Sequence, residues 1–208
     1  MSDLTPEAEK SVTSKTALRN QLLTMRRQLS LTDRRTAASQ LQDQILDLVR
    51  REAASTIAAY VPIGAEPGGT DLPAVLARHA RVLLPVLLPD NDLDWAWYDG
   101  TLHPGPRGLA EPPGPRLGPS ALTQVDLILV PALAVDLHGY RMGRGGGSYD
   151  RALARLDGSA RARRLVVALL HDGELIGEVP AEPHDRRVHG VITPTRGFAL
   201  SRPAEWTK

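Results

Sequence analysis

One glycine-rich segment of the chain combines the residue types that bind phosphate groups. The segment is GYRMGRGGGSYDR at residues 139–151, and its central glycines are Gly143, Gly145, Gly146 and Gly147. Glycine lacks Cβ, so backbone N–H groups can approach an anion closely, and the helix expected next adds further N–H groups and a partial positive charge. Arg141 and Arg144 add charged, forked donors that suit phosphate or carboxylate. The pattern favours an anion-binding loop, and the alternative is a flexible turn capped by Asp150.

The same segment also offers a metal ligand but does not match the common nucleotide motifs. Beside bound phosphates, the carboxylate of Asp150 is a suitable ligand for Mg²⁺, directly or through water. A Walker loop would end in Gly-Lys-Ser/Thr, and this segment has no such lysine. The dinucleotide pattern GxGxxG, started at Gly143, meets Ser148 where its last glycine should be. The glycine cluster therefore predicts an anion site without specifying the ligand.

A second polar segment, VPAEPHDRRVHGVIT at residues 179–193, contains Glu182, His184 and Asp185 just before a predicted strand. Carboxylate and imidazole groups at this spacing can complete a metal or phosphate site with Asp150. The alternative interpretation is an exposed polar turn.

Composition limits the class of protein. The chain has 208 residues, which suits one domain, and its formal net charge of +1 gives no indication of binding to nucleic acid or to a membrane. It contains no cysteine, which excludes disulfides, zinc–thiolate sites and cysteine nucleophiles. The N-terminus lacks the apolar region of a secretory signal, and no apolar run approaches the roughly 18 residues of a membrane helix. We expect a cytoplasmic monomer.

The N-terminal helix is expected to start at residue 14. Residues 1–13 are predicted to be a mobile polar tail, with 14–208 as a single domain, and Ser14 is a plausible N-cap. The apolar stripe of this helix consists of Leu18, Leu22, Met25 and Leu29. Its other face carries Lys15, Arg19, Arg26 and Arg27. That cationic face is either a solvated surface or a ligand-binding one.

The remaining pattern alternates between helices and short apolar strands. A second helix from about Thr32 has a buried stripe of Leu41, Ile45, Leu48 and Val49. A short helix capped by Asp71 and a helix from YDRALARL, ending before Gly158, are also predicted. The predicted strands are TIAAY, RVLLPVLL, a half-exposed LDWAWY, VDLILV, RLVVALL and, as the last, VHGVIT. Residues 103–119 form a Pro/Gly loop.

This alternation predicts an α/β sandwich of three layers with a mostly parallel central sheet. In open sheets of this kind, ligands lie outside the carboxyl ends of the strands. The glycine-rich segment lies between a strand and a helix start, so we expect it at that edge of the sheet.

A series of short motifs runs along most of the chain. They are KxxxR at 15–19, Y…E…TD at 60–71, LP at 84–85, GLAEP at 108–112, D…VPALAVD…GYRMGRGGGSYDR at 126–151 and PAEPHD at 180–185. In this order they resemble the motifs of the 5-formyltetrahydrofolate cyclo-ligases, also called 5,10-methenyltetrahydrofolate synthetases. The resemblance covers essentially everything from residue 14 onward, and the block around residues 141–151 is its most specific part.

The resemblance implies an enzyme that uses ATP and Mg²⁺ to convert 5-formyltetrahydrofolate, which can carry a polyglutamate tail, to 5,10-methenyltetrahydrofolate. It implies a fold similar to the sugar-phosphate isomerase and CoA-transferase architecture. The implied ATP-binding residues are Lys15, Arg19, Arg141, Gly143, Arg144, Gly145, Gly146, Gly147, Ser148 and Tyr149. The implied folate contacts are Val61, Glu66, Arg144 and Ser148. Asp150 and Asp185 would hold Mg²⁺, and Lys15 and Arg144 would be catalytic.

The implied chemistry fits these residue types. The oxygen of an N-formyl amide is a poor leaving group, and its phosphorylation makes the formyl carbon open to attack by N10 of the folate. Positioning the γ-phosphate and neutralising charge on the transferring group are tasks for Mg²⁺, lysine, arginine and backbone N–H groups.

Two positions depart from the family pattern. Ser148 stands where an aromatic residue is common, and Arg144 stands where tyrosine is frequent and arginine occurs in some members. The candidates for stacking on a pterin ring are Tyr60, Trp95, Trp97, Tyr98 and Tyr140. For Trp95, packing within the strand is the preferred interpretation.

Three other functions were considered. A non-catalytic folate- or nucleotide-binding protein on the same scaffold would have no chemical need for Lys15, Arg19, Asp150 and Asp185 together. An isomerase or CoA transferase would place a carboxylate such as Glu66 or Glu111 at a strand end and would leave the glycine-rich segment without a purpose. Nucleic-acid binding is disfavoured by the near-neutral charge.

Overall fold

The computed structural model describes residues 6–158 and 164–201, with side chains from residue 14 onward. The helices are α1 (Pro6–Gln28), α2 (Leu31–Arg51), α3 (Leu72–Leu76) and α4 (Ser148–Ala154). The strands are β1 (Thr56–Ala58), β2 (Arg81–Leu87), β3 (Leu93–Trp97), β4 (His103–Pro104), β5 (Ala110–Glu111), β6 (Leu127–Pro131), β7 (Ala134–Asp136), β8 (Arg141–Met142), β9 (Leu165–Leu169), β10 (Leu175–Ile176), β11 (Gly190–Thr193) and β12 (Gly197–Leu200).

A large sheet with strand order β12-β11-β9-β6-β1-β2-β3 forms the centre of the fold. From β11 to β2 the neighbouring strands are parallel, and the edge strands β12 and β3 are antiparallel to their neighbours. The α/β class and the mostly parallel sheet predicted from the sequence are confirmed. The parallel arrangement also brings the loops after β1, β2 and β6 to one edge of the sheet.

Side chains on both faces of the sheet are buried, and this burial makes three layers. On one face, Ile57 and Leu129 pack with the predicted stripe of α2. Their chain neighbours Ala58 and Ile128 point to the opposite face and pack with residues of α4 and of the 3-10 helix Pro119–Gln124. Successive strand residues point to opposite faces, so an apolar run is needed where both faces are covered.

Helix α1 lies apart from these layers, on a small sheet with strand order β10-β7-β8. Leu22 of α1 is buried against Leu133, Met142 and Val179 of this subdomain, and Leu18 packs beside them. The small sheet follows β6 directly in the chain, so it holds α1 next to the carboxyl edge of the large sheet. This contact places Lys15 and Arg19 of α1 near the carboxyl edge of the large sheet.

The start of α1 and its buried stripe differ from the prediction. The helix begins at Pro6 rather than at Ser14, so Ser14 is not an N-cap; residues 1–5 lie outside the described part. Proline in the first turn, followed by Glu, Ala and Lys, favours the earlier start. Met25 is exposed at 48%, whereas Arg26 is buried at 4%. Arg26 continues the four-residue spacing of the apolar stripe, which places it on the packed face.

Two strands also differ from the prediction, and one interpretation of a tryptophan is confirmed. The strand LDWAWY is not half-exposed: Leu93–Ala96 are buried, because residues 117 and 118 bond to Trp95 O and Asp94 Oδ1 and cover the strand. VHGVIT is not the last strand, since β12 follows it after a tight turn. The packing interpretation of Trp95 is confirmed by its complete burial.

The predicted helix boundaries also need correction. Asp71 occupies the N-cap position of α3 without a capping hydrogen bond, because its Oδ1 accepts from Gln42 Nε2 at 2.8 Å. Helix α4 ends at Ala154, four residues before Gly158. The Pro/Gly loop at 103–119 contains the β4–β5 pair and a 3-10 turn at Pro106–Gly108. Within the described residues, no helix is both long and apolar enough to span a membrane.

Candidate active site

A cavity of about 480 Å³ opens at the carboxyl edge of the large sheet. Its wall is built from α1, from the loops after β1 and β6, from the segment 141–150 and from residues 182–185. The wall contains every predicted site residue: Lys15, Arg19, Val61, Glu66, Arg141, Gly143, Arg144, Gly145, Gly146, Gly147, Ser148, Tyr149, Asp150 and Asp185. The structure therefore brings together side chains that are up to 170 positions apart in the chain.

Lys15 joins α1 to the acidic segment. Its Nζ atom donates to Asp185 Oδ2 at 2.8 Å and lies 3.4 Å from Glu182 Oε1. The Lys15 side chain is only 14% exposed, so these ion pairs are weakly screened by solvent. One cation thus faces two carboxylates at the cavity wall.

Arg19 contacts the glycine-rich loop from the side of α1. Its Nε atom donates to Gly143 O at 3.1 Å, and its guanidinium carbon lies 3.5 Å from the place where a Cβ of residue 145 would stand. Gly145 has a φ of +100°, which residues with a Cβ rarely adopt. Arg19 therefore packs closely against the backbone of the loop.

The far side of the loop is held by Arg151 of α4. This arginine donates to Gly146 O at 3.0 Å and to Asn91 O at 2.6 Å. Gly147, at the start of α4, has a φ of +66°, and a Cβ there would lie 2.9 Å from the Arg151 guanidinium. The loop is thus fixed by arginines on both sides. The turn at residue 147 requires glycine.

Asp150 accepts two hydrogen bonds at one oxygen. Arg141 donates to Asp150 Oδ1 at 2.7 Å, and the backbone N–H of Arg186 donates to the same atom at 3.0 Å. Burial opposes ionisation of Asp150, but the hydrogen bonds and the charge of Arg141 outweigh it, so the pKa of Asp150 lies below its ordinary value. Asp150 is therefore an ionised carboxylate with its second oxygen available at neutral pH.

Asp185 belongs to an acidic group with Glu182 and His184. The ligand atoms of these residues lie within 4.8 Å of one another. The backbone N–H of Glu182 donates to Asp185 Oδ2 at 2.7 Å, which folds the segment into a tight turn. Two carboxylates and an imidazole at this separation can hold a divalent cation.

Glu66, after β1, is a nearly buried carboxyl group in the cavity wall. Its side chain is 10% exposed, its Oε2 accepts from the N–H of Ile63 at 3.0 Å, and its Oε1 lies 3.6 Å from Arg144 Nη1. Burial raises the pKa of Glu66, although the Ile63 N–H group and Arg144 oppose the shift. Arg144 itself is 53% exposed. It therefore lies between the carboxyl group and the open part of the cavity.

The part of the cavity beside β2 and β3 is apolar. Its lining side chains are Pro85, Leu87, Leu93, Leu109 and Ala110, with Arg107 among them. The cavity thus has two regions along the carboxyl edge of the sheet. A cationic region rich in backbone groups lies at α1 and the glycine-rich loop, and an apolar region lies beside β2 and β3. Glu66 lies after the strand between them.

Comparison with known proteins identifies the family. A profile of the 5-formyltetrahydrofolate cyclo-ligase family matches residues 11–194. The chain belongs to this family.

Individual relatives agree with that assignment. The chain is 43% identical over 196 residues to a 5-formyltetrahydrofolate cyclo-ligase of Mycolicibacterium smegmatis, covering 91% of this chain and 98% of the relative. A solved structure of 5,10-methenyltetrahydrofolate synthetase from Aquifex aeolicus superposes with a TM-score of 0.76 at 28% identity, covering 91% of this chain and 93% of that one. A synthetase from Mycoplasma pneumoniae, at 22% identity and a TM-score of 0.68, shares the fold. The protein is therefore an enzyme of the cyclo-ligase family.

In this cyclo-ligase, most of the aromatic residues predicted for stacking lie away from the cavity. Tyr60 lines it, but Trp95 is in the core below the sheet. Trp97 lies under the Arg81 guanidinium at 4.0 Å, and Tyr140 under that of Arg187 at 4.4 Å. Tyr149 is a further aromatic side chain in the wall. From the sequence, Tyr149 was predicted only as an ATP-binding residue of the glycine-rich segment, and not as a residue that stacks on the folate.

Sequence reasoning missed two arginines of the cyclo-ligase cavity. The sequence placed Arg26 on a cationic face that was either solvated or ligand-binding and gave it no role, yet it lines the cavity and bonds to Glu174. Its four-residue spacing from Leu22 was the available signal. Arg107, in the Pro/Gly loop, also lines the cavity, and no local pattern distinguishes it from the other arginine of that loop.

Proposed function

We propose that the protein catalyses the ATP- and Mg²⁺-dependent conversion of 5-formyltetrahydrofolate to 5,10-methenyltetrahydrofolate, with release of ADP and phosphate. The family assignment supports the reaction class. The observation that carries the proposal is the single cavity in which a cationic glycine-rich loop faces a buried carboxyl group and an apolar wall. A nucleotide suits the first region, and the flat rings of a folate suit the second.

The proposed reaction has two bond-forming steps. The formyl oxygen on N5 attacks the γ-phosphorus of ATP, so a C–O–P linkage forms and ADP leaves. N10 then attacks the formyl carbon and loses its proton, the C–O bond breaks and phosphate leaves with the bonding electrons. The enzyme supplies no covalent nucleophile. Its work is to align the γ-phosphate with the formyl oxygen and to stabilise the charge that spreads over the phosphoryl oxygens.

The cationic side chains have distinct tasks in this proposal. Lys15 and Arg19 bind the phosphate oxygens from α1, and the N–H groups of residues 143–147 bind them from below. Arg141 holds Asp150 and so keeps the end of the loop in place. Arg144, already 3.6 Å from Glu66, lies where the phosphate and the formyl group would meet. The contacts of these residues in the cavity wall support the proposed tasks.

The folate is proposed to bind on the β1 side of the cavity. Val61 and Ser148 would contact its rings, and Glu66 would accept hydrogen bonds from its N–H groups. Tyr60 offers an aromatic face nearby. Ser148 leaves more room than the aromatic residue common in the family, and Tyr149 occupies part of that wall.

The donor groups fit a magnesium ion. Asp150 and Asp185 offer carboxylate oxygens, which Mg²⁺ prefers, and Glu182 adds another beside Asp185. His184 supplies a nitrogen, which Mg²⁺ uses less readily. When bound, the ion would neutralise phosphate charge and fix the orientation of the triphosphate. Asp150 suits this role because it is ionised and its bonds occupy only one oxygen.

The decisive experiment is a turnover assay with purified protein and 5-formyltetrahydrofolate. We expect methenyltetrahydrofolate absorbance to appear only when ATP and Mg²⁺ are both present, with one ADP released per methenyl product. Absence of product under these conditions would refute the proposal. Tight folate binding without ATP consumption would instead support the non-catalytic alternative. The cytoplasmic location and the monomeric state stay predictions.

A further inference from the structure

Arg107 lies at the apolar end of the cavity in an unusual backbone conformation. It sits in the 3-10 turn Pro106–Gly108 with φ 56° and ψ 26°, in the left-handed region that residues with a Cβ rarely occupy. Its Nη2 atom donates to the side-chain oxygen of Asn91 at 2.5 Å, and Asn91 also has a positive φ of 65°. A positioned guanidinium is therefore presented among aliphatic side chains.

The charge of Arg107 has no carboxylate partner in the described part of the chain. Its hydrogen-bond partner is a neutral amide. The neighbouring arginines differ in this respect: Arg155 pairs with Asp92, and Arg116 lies 3.9 Å from Glu111. Arg107 is exposed to solvent at the cavity wall, so its guanidinium can pair with an anionic group of a ligand.

Arg107 lies on the side of the glycine-rich loop that is remote from α1, because its partner Asn91 also accepts from Arg151, which bonds to Gly146 O. Lys15 and Arg19 are carried by α1, which packs on the small sheet that follows β6. Glu66 follows β1, the next strand in the sheet after β6. Arg107 lies beside Leu87 of β2 and the start of β3, beyond β1. A long ligand that places its reacting group between Arg144 and Glu66 can therefore extend towards Arg107.

We propose that Arg107 binds a carboxylate of the glutamyl tail of the folate and so makes the enzyme select glutamate-bearing folates. The inference rests on the proposed function. Leu87, Leu93 and Leu109 would pack on the flat aminobenzoyl ring that precedes the tail. The guanidinium would form a charge-assisted, forked pair with the carboxylate, a geometry that arginine provides and lysine does not.

The test compares two ligands that differ only in the tail. The dissociation constants of 5-formyltetrahydrofolate and of 5-formyltetrahydropteroate, which lacks the glutamate, are measured by calorimetry for the wild type, Arg107→Gln, Arg107→Lys and Arg116→Gln. We expect the wild type to bind the glutamate-bearing ligand about tenfold more tightly, as a single charge-assisted pair would. Arg107→Gln should abolish this preference without changing pteroate binding.

The other variants locate the effect. Arg107→Lys should keep part of the preference, because the charge remains without the forked geometry. Arg116→Gln removes the same charge from the same loop, outside the cavity, and should leave both dissociation constants unchanged. These are equilibrium measurements, so a failure of ATP-dependent turnover would refute the proposed function separately.

Two results would overturn the role of Arg107. If the wild type bound both ligands equally well, it would have no site for the tail. This result is measured on the wild type alone, so it does not depend on whether a variant folds. An Arg107→Gln variant that weakens both ligands by the same factor would show that the arginine only supports the loop. Thermal unfolding of each variant establishes that the compared proteins are folded.

Discussion

At the scale of single residues, several charges of the site already have partners of opposite charge. Lys15 is paired with Asp185, Arg141 with Asp150, and Arg144 lies near Glu66. Binding of Mg²⁺ and a triphosphate would exchange some of these partners, since Asp185 and Glu182 pair with Lys15 and are also candidate ligands of the metal. The cost of desolvating the cations is therefore partly met before the ligand arrives.

The substitutions Lys15→Ala and Asp150→Asn should each reduce kcat by roughly 100-fold or more. In the proposed mechanism, Lys15 places a positive charge beside the transferring phosphoryl group, and Asp150 holds the Mg²⁺ that does the same. Steady-state assays with saturating ATP measure the effect, and circular dichroism checks the fold. Asp157→Asn is the matched control, since Asp157 is an exposed acid that bonds to Arg186 on the surface. If either site variant retained a rate near that of the wild type, the role assigned to that residue would be wrong.

Glu66→Gln should stabilise the protein at neutral pH. Burial raises the pKa of Glu66, so the folded state holds this proton more tightly than the unfolded chain does. Wild-type stability therefore falls as the pH rises from the unfolded pKa through the folded pKa. Urea unfolding of both proteins should show a gain for Glu66→Gln at pH 7 that shrinks as the pH falls below the ordinary range of a glutamate. A gain that grows on acidification would contradict the buried, ionisable carboxyl.

At the scale of elements, one buried ion pair anchors the helix that carries Lys15. Arg26 of α1 donates to both oxygens of Glu174 at 2.6 and 2.7 Å and to Ala132 O at 2.5 Å. Glu174 also accepts from the N–H of His171, whose ring bonds to Ala65 O. This network connects α1 with the loop that carries Glu66. It therefore fixes the two sides of the cavity relative to each other.

Arg26→Ala should lower the free energy of unfolding by roughly 3–5 kcal/mol, because it leaves Glu174 buried without its partner. Arg27→Ala, one position away on the exposed side of α1, should stay within about 0.5 kcal/mol of the wild type. Urea denaturation gives both values. Equal stability of the two variants would mean that the pair does not anchor α1.

The elements also show how far the sequence predicts this structure. The stripe of α2 and the parallel strands follow from local periodicity. The segment around residues 141–151 is contiguous, so the sequence alone predicts it as a binding loop. Arg26 and the burial of β3 are different, because each depends on a partner or a cover from a distant segment. Glu174 is 148 positions from Arg26. No local pattern contains that pairing.

At the scale of the whole molecule, ligand binding should be linked to global stability. The cavity joins α1, both sheets and the segment at 182–185, so a ligand that binds only the folded state stabilises all of them together. ATP with Mg²⁺ at about 100 times its dissociation constant should add about 2.7 kcal/mol and raise the unfolding midpoint by roughly 5–10 °C.

Thermal unfolding with ATP, with ATP and Mg²⁺, and with ATP and EDTA tests this linkage. We expect EDTA to remove most of the shift, because the carboxylates at 150 and 185 would then face the phosphates without a cation. An equal shift with and without Mg²⁺ would contradict the proposed metal site.

The contact between Lys15 and Asp185 also has a consequence for biosynthesis. The chain is made from its N-terminus, and domains fold as their segments emerge. Helix α1 is made before its partners Glu174 and Asp185, which follow Arg26 and Lys15 by 148 and 170 positions. Closing so long a loop is slow compared with local contacts. We therefore expect α1 to dock after the central strands have formed, so that a growing chain cannot assemble the proposed nucleotide site until Asp185 has been made and can fold.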